Sequence, residues 1–274
     1  MKYHIILFLL ILLFHTSYLS SQTCHLKLHI HNQSNFPIVL GSINGDQFTP
    51  IDSLISNDGH IKFKLSDNNT FLIYRVVIGQ TLMAKVLNEP PQQLDFIFNG
   101  KDIEIETDFN ATLDSVNVIS SEENLVWFDF LKKEKIYQKQ LKELVMQINY
   151  FQNKTDDVYY TNSKQTEIIT QYNKLQKEKE ALIISIQKEH PKLYATKLIR
   201  LKREPFLDGN TSEKQRRIVQ KTHFFDGVDF SDESLINSSA YTDIVFQYFM
   251  LYAQKGLSRE KQEEEFKKAI DVFL

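Results

Sequence analysis

The sequence predicts an α+β protein, an antiparallel β-sandwich followed by an all-helical region with a long antiparallel helical hairpin. Three observations carry this expectation. From Cys24 to about Ile119 the apolar residues recur at every second position, which puts alternate side chains on opposite faces of a strand. From Ser120 onward they recur at spacings of three and four, the period of one helix face. Turn residues break the first region every eight to twelve positions, as they do between the short strands of a sandwich.

The strands follow in order. Leu26, Leu28 and Ile30 alternate with Lys27 and His29, and Ile61, Phe63 and Leu65 with Lys62 and Lys64. Ile103 and Ile105 alternate with Glu104 and Glu106, and Val116 and Val118 with Ser115 and Asn117. Phe71 to Ile78 is apolar almost throughout, so that strand is expected to be covered on both sides. Asn44-Gly45-Asp46, Asn57-Asp58-Gly59 and Asn99-Gly100 supply residues that tolerate positive φ, and Pro90-Pro91 breaks a further run. Seven to nine strands are expected. No long helical pattern separates them, so parallel pairing is not expected.

At Ser120-Ser121-Glu122-Glu123 the pattern is that of a capping box, with Ser120 as the cap and Glu123 three residues on. Tyr137, Leu141, Leu144, Ile148 and Phe151 form one helical seam, and Ile168, Tyr172, Leu175, Leu182 and Ile186 a second, interrupted by Lys179. A polar loop from Gln152 to about Ser163 joins them into a hairpin. Pro191 ends the second helix, because the residue before proline is pushed out of the helical region. Shorter helices are expected over Lys192–Arg203 and Ser212–Lys221, then a broad apolar face from Ile236 to Tyr252, then a helix from Glu260 to Leu274. That last helix ends on Val272-Phe273-Leu274 without a cap, so its apolar side is expected to be covered by the helical region or by further chain.

Composition narrows the function classes. A hydrophobic share of 42% suffices for a packed core, and 274 residues accommodate two domains. With 32 basic and 35 acidic side chains evenly mixed, there is no basic face for nucleic acid. Residues 1–21 read as a signal peptide: Lys2, the apolar run Ile5 to Phe14, then Ser17, Ser20 and Ser21. The run is too short to span a bilayer, so the chain is expected to be exported to the periplasm or cell envelope without a transmembrane span. The domains are then 22–119 for the sandwich and 120–274 for the helical region. Cys24 is the one cysteine, so no disulfide forms within the chain. It lacks the small Gly or Ala that precedes a lipidated cysteine, and a strand position is the expected role.

Two constellations invite chemistry. Asp226, Asp229, Asp232 and Glu233 resemble a calcium site, but their spacing lacks the alternate acids, central glycine and terminal glutamate of such a loop. A hinge is the stronger expectation: Phe224, Phe225, Val228 and Phe230 anchor it, Gly227 turns it, and Ser231 caps the next helix, with Asp232 and Glu233 in its first turn. His25, His29 and His31 lie on one face of a strand, where a zinc site would need a third fixed ligand. A solvent-facing strand is expected instead. The acids Glu178, Glu180 and Glu263-Glu264-Glu265 read as solvated helix faces. The sequence holds no G-x-S-x-G, phosphate-binding glycine loop, H-E-x-x-H or C-x-x-C, so no catalytic residue, metal or cofactor is expected.

Several stretches together resemble a known family. They are Asp52-Ser53 with Asn57-Asp58-Gly59-His60-Ile61-Lys62-Phe63, Ile105-Glu106-Thr107-Asp108-Phe109 with Val118-Ile119-Ser120-Ser121-Glu122-Glu123-Asn124, and Phe224-Phe225-Asp226-Gly227-Val228-Asp229-Phe230-Ser231-Asp232-Glu233-Ser234-Leu235. In order and spacing they are similar to exported proteins of Bacteroidetes-type bacteria, in which a β-sandwich of unknown function and a helical region precede a TlpA-like thioredoxin domain. The resemblance covers about Cys24 to Tyr252. It implies export, this architecture and a setting in thiol–disulfide metabolism, with an envelope protein or a thioredoxin-like domain as partner. The W-C-x-x-C centre of the active family members is not in this sequence, so no catalytic residue carries over.

Three expectations about function result. The first is a non-catalytic envelope module that binds a partner or positions a neighbouring domain. The second is the front part of a TlpA-like thiol–disulfide oxidoreductase. The third is a glycan- or peptide-binding sandwich, by analogy of fold alone.

Overall fold

The computed structural model describes residues 23–33, 36–65, 72–152, 158–236, 238–253 and 256–272. The expected signal peptide, Phe71, Phe273 and Leu274 lie outside them. The architecture is α+β. Eight strands come first: β1 Cys24–His31, β2 Ile38–Asn44, β3 Gln47–Leu54, β4 His60–Leu65, β5 Leu72–Gly79, β6 Gln92–Phe98, β7 Ile103–Asp108 and β8 Asn117–Ser120. A short helix α1, Leu82–Val86, stands between β5 and β6. The helices that follow are α2 Glu122–Gln152, α3 Val158–Glu189, α4 Tyr194–Arg200, α5 Glu213–His223, α6 Glu233–Ile236, α7 Ser239–Met250 and α8 Arg259–Ile270.

The strands form two sheets, ordered β4-β1-β7-β8 and β3-β2-β5-β6. Alternation places Leu26, Leu28 and Ile30 of β1 inward with Ile61, Phe63, Ile103 and Ile105, opposite Leu40, Tyr74, Val76 and Phe96 of the other sheet. Each fully buried Phe or Leu here contributes roughly 1.5–3 kcal/mol relative to exposure. One pairing departs from expectation, because β1 and β7 run parallel, with Leu28 opposite Ile105. β1 lies between β4 and β7, and the chain reaches β7 only after building the whole second sheet. That excursion, rather than a helix, supplies the crossover a parallel pair requires.

β5 is buried on its sandwich face and only partly covered on the other, where Arg75 and Val77 are half-buried. Tyr74, Val76 and Ile78 are buried in the sandwich, while Ile73 lies beside Ile97, Trp127, Phe128 and Leu198 under the helices. The apolar core therefore runs without a break from the sandwich into the helical region. Asn57-Asp58-Gly59 turns from one sheet to the other. Gly59 has φ +79°, a Cβ there would collide with the Ile30 carbonyl, and the Gly59 carbonyl accepts from the Ile30 amide at 2.9 Å. Asp58 accepts from the Ser56 hydroxyl at 2.7 Å and the His60 amide at 3.0 Å.

The hairpin seam packs as expected, with Leu141, Leu144 and Ile148 buried against Ile168 and Tyr172. α3 ends at Glu189, just before His190-Pro191. The start of α2 is a correction. Its cap is Ser121, not Ser120. The Ser121 carbonyl accepts from the Leu125 amide at 2.9 Å and its hydroxyl from the Asn124 amide at 3.3 Å, while the Ser120 hydroxyl donates to the Asp102 carbonyl. Strand pairing holds Ser120 in β8, so the helix can begin only after it.

Glu123 does not close a box with Ser120 either. It is buried, and its carboxylate accepts from the amides of Tyr194 at 3.0 Å and Ala195 at 2.8 Å. These are orphan donors of α4, whose own cap residue Leu193 has no side chain able to accept.

Candidate functional site

The helical region contains a cleft of about 540 Å³. Three separate stretches wall it: α3 from Gln176 to Ile184, the extended segment Arg203–Phe206, and His223 to Gly227 at the end of α5. Leu141, Ile183 and Phe224 give it an apolar lining. On the far side of Arg203, Glu204 and Phe224 a second hollow of about 470 Å³ is lined by Glu134, Gln138 and Gln247.

Charge organises the cleft. Lys179, which interrupts the apolar seam in sequence, is buried with its ammonium 3.3 Å from Glu134 and 3.1 Å from Glu204. Arg203 pairs with Glu180 through both a 3.2 Å bond and a shorter second one, a two-pronged geometry that also sets direction. Glu180 is thus not the solvated acid expected from sequence, whereas Glu178 is, reaching Lys174 at 3.6 Å. Glu265 departs in the same way, since it meets Lys221 at 3.9 Å as well as Lys268. At the rim His223 lies 2.9 Å from Asp226, and Lys177 sits 5.5 Å from the centre of the Phe206 ring.

The hinge residues form one wall of this cleft. Phe224 and Phe225 pack edge to face at 5.1 Å and both lean on Tyr248. Gly227 does not act through a positive φ. A Cβ there would stand 3.3 Å from the Arg203 Cβ, so the glycine makes room for the arginine stem. Phe230 is a weaker anchor than expected, 46% exposed with its ring against Phe225 and Tyr241.

The cap assigned to Ser231 moves to Asp232. α6 begins at Glu233, and Asp232 accepts from the Ser234 amide at 3.1 Å while Lys197 holds it at 2.8 Å. Ser231 instead donates its amide and hydroxyl to Asp229. Those hydrogen bonds hold the Asp229 carboxyl below the usual range.

The histidines lie elsewhere, on the outer face of the first sheet. His29 stacks on His60 at 3.9 Å and touches His31 at 4.1 Å. Partial burial, then His60 and His31, push its pKa below the ordinary value. His25 faces Asp102 at 3.8 Å. Among the described residues, no group of three or more His, Cys, Asp or Glu is placed to hold a metal, and no helix is long and apolar enough to cross a membrane.

Neither the protein-family models nor the curated proteins contain a match to this chain. Sequence reasoning placed Phe224, Phe225 and Gly227 together but missed Lys179, Arg203 and Glu204. The one available signal was a lysine at a seam position, which requires a buried partner.

Proposed function

We propose that the chain is a non-catalytic module of the cell envelope, which uses the helical cleft to bind a partner protein in thiol–disulfide metabolism. The observation that carries this reading is the commitment of the cleft's charges to each other. Lys179 with Glu134 and Glu204, and Arg203 with Glu180, tie α2, α3 and the 203–206 segment into a preformed hollow. Such an arrangement suits recognition of a projecting side chain. It leaves no base poised over a nucleophile, the geometry covalent catalysis uses.

Cys24 adds support. It is buried at the start of β1, with its thiol donating to the Gly100 carbonyl at 3.2 Å. A redox thiol is accessible and electropositive in its surroundings, whereas this one is buried. Export to the envelope remains part of the proposal, resting on residues 1–21.

The test has two arms. The purified chain should show no turnover of a disulfide substrate, and turnover that persists after Cys24→Ser would overturn the reading. A purified thioredoxin-like envelope domain should bind, and Phe206→Asp should weaken that binding about tenfold or more, with Ile218→Asp as the control.

The second reading, in which this chain precedes a redox domain, has its own observation. Phe246, Met250, Ile270 and Val272 on and just after the last two helices are all exposed, as a surface for another domain would be. Reading the DNA beyond Leu274 in all frames decides it.

A further inference from the structure

The outer face of the first sheet carries a charge pattern that neither the sandwich core nor the cleft uses. The strand register fixes which outward side chains meet. Across β1 and β4, His25 faces Lys64, Lys27 faces Lys62 and His29 faces His60. Across β1 and β7, Lys27 faces Glu104, His29 faces Glu106 and His31 faces Asp108. His25 also stands 3.8 Å from Asp102, just before β7. β1 therefore has bases on one side and acids on the other. With neutral imidazoles, Lys27–Lys62 is the one like-charge pair among these. With protonated imidazoles all three β1–β4 pairs repel, while the β1–β7 pairs all attract. The rings lie close enough for this to matter, with His29 stacked on His60 at 3.9 Å and against His31 at 4.1 Å.

We propose that this face is an acid-sensitive latch, in which protonation of His25, His29 and His60 loosens edge strand β4 from β1 and tightens β1 on β7. β4 ends the order β4-β1-β7-β8, so among the described residues β1 is its one neighbour in that sheet. Ile61, Phe63 and Leu65 keep it in the core, and the latch therefore acts on local opening rather than on the whole fold. The acids give the response its direction. Glu106 lies 4.0 Å from the His29 ring, and Glu104 3.2 Å from Lys27, both on the β7 side. Asp58, in the turn before β4, is the counterweight on the other side, and its carboxylate already accepts from Ser56 and the His60 amide. At His29 burial, His60 and His31 outweigh Glu106 and Asp58, and its pKa lies below the usual 6.5. The folded chain thus binds this proton more weakly than the unfolded one. The stability due to His29 is complete above 6.5 and is lost as pH falls below it.

Hydrogen exchange of the full chain, corrected for the intrinsic rate, tests this at about pH 7.5 and about pH 5, on either side of the imidazole range. Protection of the β4 amides should fall about tenfold on acidification. The Ile30 amide, which donates to the Gly59 carbonyl at the end of the same ladder, should follow them. Amides of β7 should change far less. His25→Gln, His29→Gln and His60→Gln together should remove the response. Lys62→Glu alone, which makes the pair with Lys27 attractive and sets an acid beside His60, should blunt it, and this single change decides the matter if the triple variant does not fold. No loss of protection in β4, or an equal loss in β4 and β7, overturns the proposal. So does an undiminished response in either variant, which would place the titrating group outside these histidines.

Discussion

The Glu123 carboxylate, at the start of α2, lies 2.8 Å from the amide of Ala195, 72 positions later in the chain. It serves as the missing cap of α4 and binds the first turn of the hairpin to the helix that follows it. Glu123→Gln keeps one acceptor but turns a carboxamide NH2, itself a donor, toward the second donor. It is expected to destabilise the fold by about 1–3 kcal/mol, most at acid pH, measured by urea unfolding.

The same residue predicts a pH dependence. Burial raises the Glu123 pKa above its usual 4.5, against the two amides that favour the charge. The folded state therefore binds this proton more tightly than the unfolded chain. The stability due to the group is complete below 4.5 and is lost as pH rises through the elevated value. The advantage of wild type over Glu123→Gln should shrink over that interval in paired urea titrations.

Asn124, the next residue, is fully buried, and its amide group both donates to and accepts from the backbone of Ile97 on edge strand β6, each at 2.8 Å. It acts as one residue of an extra strand. Asn124→Ala should cost about 2–4 kcal/mol, since two bonds are lost and two buried backbone groups are left bare. Hydrogen exchange at the Ile97 amide should quicken more than at the core of β1.

Gly59 and Gly256 separate backbone strain from collision. Both have positive φ, at +79° and +83°, but a Cβ at Gly59 meets the Ile30 carbonyl, whereas Gly256 faces open space. Gly256→Ala should cost about 1–2 kcal/mol, the left-handed penalty alone. Gly59→Ala should cost clearly more, and thermal melts of the two variants measure the difference.

Lys179 stands between Glu134 and Glu204. Lys179→Met leaves those carboxylates facing each other without their cation and should destabilise by about 3–5 kcal/mol. Adding Glu134→Gln should restore part of that loss, a non-additivity that a double-mutant cycle reads directly. If the two effects simply add, the ion pairs of buried Lys179 do not hold the cleft together.

What the sequence determined by itself is whatever a local period or a local turn encodes. Alternation at Leu26-Leu28-Ile30 and at Ile61-Phe63-Leu65 specified strands and their buried faces. Spacings of three and four specified the seam from Leu141 to Ile148, and Asn57-Asp58-Gly59 specified a turn that only glycine fits. What only the tertiary structure decided is which polar groups meet across long separations. The cap on α2 is at Ser121, because pairing in β8 claims Ser120. Glu123, Asn124 and Lys179 find partners 72, 27 and 25 positions away. The parallel register of β1 on β7, and the exposure of the apolar α1, belong to the same class. Burial makes a satisfied partner obligatory for each polar group, but no spacing along the chain names that partner. Its identity is settled only when the sheets and helices close around it.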